Sequence, residues 1–256
     1  MVNKLNREAC HILGIDCATV PGKRGVSLAL FDNRCSIESA AAGLSDTELV
    51  EMLIQCKQRG GRVLLALDAP LGWPEPLGRR LAPHQAGQSL PEKAHSLFRR
   101  ETDLFVKRTF NMQSLDVGAD RIARTAHSAL ELLGTFRKET GSRIALADDE
   151  NFHGISVIEV YPAATLSVYG LQSRAYKNPE AVQARIAILD GLEGLGIRIS
   201  QSARLNAIAS ADALDAIVCV AAGMDFLKGD AHPPEDPALA AKEGWIWVRR
   251  NSVEQN

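Results

Sequence analysis

Five cysteines, Cys10, Cys17, Cys35, Cys56 and Cys219, are scattered through 256 residues without a C-x-x-C pair, and their number is odd. That argues against a disulfide framework and against a cysteine zinc site, and it fits a reducing compartment. No run approaches the roughly 18 consecutive apolar residues of a membrane helix, and the opening MVNKLNREAC has no apolar segment of the signal-peptide kind. The expectation is a soluble cytoplasmic protein with no membrane partner. Excess charge is also lacking: the formal net charge is -2 and the pI about 6.3, so any attraction to nucleic acid must be local. The stretch PGKRG does not have P-loop spacing, and no G-x-G-x-x-G follows a strand pattern. The six histidines show no H-E-x-x-H or zinc-like spacing, and there is no G-x-S-x-G elbow. Internal repeats are absent too. Nucleotide loops of the common kinds, zinc hydrolysis and the usual serine nucleophile are therefore not indicated.

What is present is an alternation of apolar runs and helical patterns. His11 to Cys17, Val26 to Phe31 and Cys35 to Ser39 are spaced as a three-stranded meander, with DNR at the second turn. From Ser45, SDTELVEMLIQCKQRGG carries an N-cap serine, Glu48 at the capping-box position and one apolar face of Leu49, Met52, Leu53 and Cys56. Val63 to Leu67 is a wholly apolar strand broken by the proline-rich APLGWPEPLG. Residues 75–150 then turn helical and polar, which predicts a helical insertion. Ile155 to Tyr161 predicts a further strand stopped by Pro162. Helices are predicted in NPEAVQARIAILDGLEGLG and NAIASADALDAIVCVAAGMDFLKG, a loop in AHPPEDPALAAKEG, and a closing strand or ordered tail in GWIWVRR.

Two apolar runs, HILGIDCAT and VLLALDAPLG, end on an aspartate, Asp16 and Asp68. An ionised carboxylate is costly to bury without compensation, so such endings point to a site. In open α/β sheets ligands bind at the carboxyl ends of central strands. Glu159 lies near a third strand end, and Asp212 and Asp215, three apart in ASADALDAIV, project from one helix face. Converging acids repel, and a divalent cation reverses that repulsion. All-oxygen ligands suit Mg2+ or Mn2+, and such ions, paired, hydrolyse phosphodiesters. Each acid also has a structural reading: Asp68 as a turn residue, Asp212 as a first-turn acid, Glu159 as the partner of an arginine.

The ordered set LGIDCA, LALDAPLG, RETD, IEVYPA, SADALDAI and EGWIW resembles the RNase H-like superfamily. More narrowly, it is similar to the domain-of-unknown-function family 429, described as predicted nucleases. The resemblance implies an α/β fold over residues 1–256: a mixed five-stranded sheet, three strands in an antiparallel meander plus parallel strands, flanked by helices, with a helical insertion at about 75–150. It also implies a two-metal nuclease in which Asp16 bridges the ions. Asp68, Asp212 and Asp215 would be further metal ligands, and Glu159 an extra catalytic carboxylate that the family shares. The family often begins GIDGC where this chain has GIDCAT, and the superfamily's first-helix glutamate has no counterpart, since Glu48 and Glu51 read as helix surface.

Residues 91–143 carry ten Lys or Arg against seven Asp or Glu, a mildly positive lobe able to hold a phosphate backbone or simply a solvated face. Arg100, Asp103, Arg121, Lys177 and Arg185 are the candidate substrate-binding residues. Nucleic acid, DNA or RNA, is the expected partner, and the oligomeric state is open. Two alternatives remain: an actin-like ATP-dependent kinase, because GIDCAT resembles a phosphate-binding start, and a non-catalytic protein that inherited the fold.

Overall fold

Strand β1 (Cys10–Asp16) lies at the centre of a seven-stranded sheet, in a computed structural model that describes residues 9–118 and 120–250. Residues 1–8, which include most of the segment read for a leader, lie outside it. β1 pairs antiparallel with β2 (Gly25–Phe31), which pairs antiparallel with β3 (Cys35–Ala42). Helix α1 (Asp46–Arg59) follows, its N-terminus closed by the Ser45–Glu48 capping box, and leads to β4 (Arg62–Asp68), parallel to β1. Four helices come next: α2 (Glu75–Leu81), α3 (Ala94–Phe98), α4 (Glu101–Phe110) and α5 (Asp120–Thr140). They separate β4 from β5 (Ile144–Leu146) and β6 (Ile155–Glu159), of which β6 is parallel to β4. Next are α6 (Pro162–Val168), α7 (Val182–Gly194), β7 (Arg198–Ile199), α8 (Gln201–Ala209), α9 (Ala211–Lys228) and α10 (Pro237–Glu243). The sheet order is β5-β6-β4-β1-β2-β3-β7.

The period of two along the central strands divides the core. Leu13, Ile15, Leu65 and Leu67 pack with Leu49 and Leu53 of α1 and Leu132 and Phe136 of α5. Ile12, Leu64 and Ala66 face the other way, toward Ile217 and Val220 of α9. All of Ala213 to Leu227 is buried, which explains why α9, apart from Asp215 and Asp225, carries apolar residues on every face. Two strand glycines let it sit close. A Cβ at Gly14 would overlap the carbonyl oxygen of Ala216, and one at Gly25 would overlap that of Asp212.

The structure has more strands than the sequence predicts because β5 and β7 are three and two residues long, too short for any periodicity to register. The region 206–229, predicted as one helix, is broken at Ser210. That residue is extended (φ -126°, ψ 125°) and its hydroxyl accepts from the Ala213 amide, so it ends α8 and caps α9. Part of the predicted loop 231–244 is α10, started by an Asp236 cap and Pro237 at the first helical position. GWIWVRR is an ordered tail, tied by single bridges from Ile246 to Glu159 and from Arg249 to Ala231.

Candidate active site

Asp16 and Asp68 are register partners at the carboxyl ends of β1 and β4, neighbouring strands about 4.8 Å apart. Both continue the alternation that faces α9: Gly14, two residues before Asp16, lies against Ala216, and Ala66, two before Asp68, lies near Gly223. From α9, one turn in, Asp215 projects to the same place and is completely buried. Its Oδ1 accepts a 2.6 Å hydrogen bond from the Tyr176 hydroxyl, and the Lys177 Nζ lies 2.5 Å from its Oδ2. That second contact is an ion pair whose angles are not those of a directed hydrogen bond, so Oδ2 is left without one. Asp212 is half-buried in the first turn of the same helix.

The electrostatics follow from this crowding. Burial, then Asp68 and Asp215, push the Asp16 carboxyl up to about 9, against the opposing pull of Lys177. Burial and Asp215 push Asp68 up to about 7. Asp215 is raised by burial even though Lys177 and Tyr176 favour its ionised form. Burial opposes the charge on Lys177, but Asp215, Asp16 and Asp68 outweigh it and hold its pKa above the ordinary value. Cys17, beside Asp16, is no thiolate: burial, Asp68 and Asp16 push its thiol well up.

Tyr176 and Lys177 sit in the loop before α7, and Arg185 of that helix holds the loop in place. Its guanidinium donates to the carbonyl oxygens of Tyr176 (2.8 Å), Asn178 (2.8 Å), Pro179 (3.0 Å) and Ile208 (2.7 Å). The sequence offers Arg185 as a candidate substrate-binding residue. It is 2% exposed and fully engaged with backbone, so it positions the loop. Tyr176 was missed entirely, since a tyrosine in an irregular segment carries no periodic signal.

Arg100 and Asp103, the candidate substrate-binding pair of RETD, are likewise turned inward. Arg100 is 1% exposed; it grips Glu159 through two bonds (2.8 and 2.7 Å) and Asp103 through two more (3.1 Å each). Burial works against this guanidinium, but Glu159 and Asp103 prevail and raise its pKa. Glu159 also accepts from the Leu71 amide at 3.0 Å, which fixes the turn after Asp68. Arg121 is exposed on α5, next to Ile122, which lines the cleft. The cleft encloses about 290 Å³, and Asp16, Asp68, Lys177, Tyr161, Glu159 and Arg100 are among its walls. A larger cavity of about 420 Å³ lies by β5 against Trp245 and Trp247, but its walls are mainly apolar and contain none of the three aspartates.

Among the described residues no three His, Cys, Asp or Glu side chains stand together as a ready-made metal-holding group. The chemistry nevertheless fits a hard divalent cation: Asp16, Asp68 and Asp215 offer only oxygen, repel one another, and include Asp215 Oδ2, which lacks a directed hydrogen bond. Among the described residues no helix is long and apolar enough to cross a membrane.

The meander β1-β2-β3 with β4 and β6 added in parallel is the mixed α/β sheet that the sequence resemblance leads one to expect. No curated protein matches the chain. Among solved structures it is similar to the Thermus thermophilus RuvC structure, at 13% identity and a TM-score of 0.32, with 83% of this chain and 96% of that chain covered. Residues 14–239 match the model of a family described as a protein of unknown function, DUF429, and by that match the chain belongs to the DUF429 family.

Proposed function

We propose that the protein is a divalent-metal-dependent nuclease, with Mg2+ or Mn2+ held by Asp16, Asp68 and Asp215 and with Asp212 at the rim. The observation that supports this reading is the meeting of three aspartates, one of them completely buried and two at the cleft wall, with one lysine among them, an excess of like charge that a fold has no structural reason to assemble. Bound there, such ions supply an activated water and stabilise the departing oxygen of a phosphodiester.

The chain's own residues do the rest. Adjacent strands present Asp16 and Asp68 side by side, and Tyr176 fixes the rotamer of Asp215 by holding its Oδ1. Glu159, paired with Arg100, serves as a brace for the turn after Asp68 rather than as a ligand. Arg121, exposed next to the cleft, meets the phosphate backbone of a nucleic acid and gives the local positive charge that bulk composition does not. Five free cysteines fit a reducing cytoplasm.

Single- and double-stranded DNA, RNA and junction oligonucleotides, each incubated with Mn2+, test the reading. Asp16→Asn is expected to abolish cleavage while circular dichroism shows an intact fold. Undiminished metal-dependent cleavage by the purified variant would remove the proposal, and thermal protection by ATP instead would favour the kinase alternative.

A further inference from the structure

Lys177 is the cation closest to the aspartates of the site, and the way it is held differs from that of Arg100 nearby. Its side chain is 59% exposed while that of its partner Asp215 is 0% exposed, so the lysine reaches in from solvent to touch a buried oxygen. The approach is close, 2.5 Å from Nζ to Oδ2, yet it lacks hydrogen-bond geometry, whereas the other oxygen of Asp215 is held in good geometry by Tyr176. The backbone that delivers Lys177 is built for the purpose. Arg185 fixes the carbonyls on either side of it, and Ala175, two residues earlier, adopts the left-handed region (φ +63°) that a non-glycine residue rarely takes. A flexible four-carbon stem on a fixed base is a tethered ammonium able to enter and leave.

We propose that Lys177 is an internal competitor for the metal position: its ammonium occupies the cation site at Asp215 Oδ2, and a divalent ion binds by expelling it toward the cleft mouth. The inference rests on the metal-site reading above and adds to it a residue that sets metal affinity. A lysine that merely braced the loop would leave affinity unchanged when replaced, because Arg185 already supplies the bracing. A competitor makes the opposite prediction, since the incoming ion must work against one positive charge at contact distance.

Calorimetric titration of the intact chain with MnCl2 separates these. Lys177→Gln is expected to bind Mn2+ on the order of tenfold more tightly than the unsubstituted protein, the scale of removing a near charge. Arg174→Gln, the same charge change at an exposed residue of the same loop, is expected to stay within about twofold, because exposed charges are screened. Thermal unfolding gives a second readout: in EDTA Lys177→Gln melts below the unsubstituted protein, and Mn2+ raises its Tm by more. Equal or weaker binding by Lys177→Gln overturns the competition while leaving the metal site intact. Absence of Mn2+ binding in both proteins overturns the competition and the metal site together.

Discussion

Glu159 and Asp16 end parallel strands of one sheet and line one cleft, yet Glu159 faces a guanidinium and Asp16 faces other carboxylates. Around Glu159 the chain has matched charge to geometry: Arg100 forms paired bonds to Glu159 and Asp103, and the Leu71 amide takes a further lone pair. Around Asp16 it has assembled three acids against one solvent-borne lysine. The first arrangement is what burying a charge demands. The second is unfavourable as structure alone, and that contrast is the ground for the metal site proposed above.

The largest effect that would break the contrast comes from the paired cluster. Arg100→Met leaves Glu159 and Asp103 buried without a counter-charge and is expected to cost about 3–5 kcal/mol in a urea unfolding curve. A loss under about 1 kcal/mol would mean that the cluster is not structural. The acid cluster should respond in the opposite direction. Unfolded, Asp68 titrates near 3.8; folded, it titrates at about 7, and Asp16 at about 9. Between those limits the folded state binds more protons, so metal-free stability falls as pH rises through them. Asp68→Asn removes one of those ionisations and is expected to stabilise the metal-free protein by about 1–2 kcal/mol at about pH 8, while flattening the decline with pH. Destabilisation in thermal scans across that range would show Asp68 to be an ordinary structural acid. The smallest effect tests how the acid on the helix is aimed. Ser210→Ala removes the cap of α9 and is expected to cost about 1 kcal/mol without altering the pH slope.

Much of this contrast could be read in the sequence, for identifiable reasons. Asp16 and Asp68 stood out because each interrupts an apolar run, and Asp215 because its spacing from Asp212 places both on one helical turn. The antiparallel meander, α1 with its capping box, and the parallel strands were legible from periodicity and caps. What decides between ligand and brace was not legible, because it lies in pairings distant along the chain. Arg100 and Glu159 are 59 residues apart, and Tyr176 and Asp215 are 39 apart. Lys177 was singled out, but its contact with Asp215 comes from a loop with no period to read. Arg185 stood among the candidate substrate-binding residues, and no sequence signal shows that its helix turns it inward to hold backbone carbonyls. The glycines offered a signal that went unused: Gly14 and Gly25 sit inside strands, where they mark the close passage of α9.

The most direct measurement is an anomalous difference map from crystals soaked in Mn2+ at a pH above 7. A peak is expected bounded by the carboxylates of Asp16, Asp68 and Asp215, with the Lys177 ammonium moved away from Asp215. An empty position there, with Lys177 still seated on Asp215 at saturating Mn2+, would contradict it.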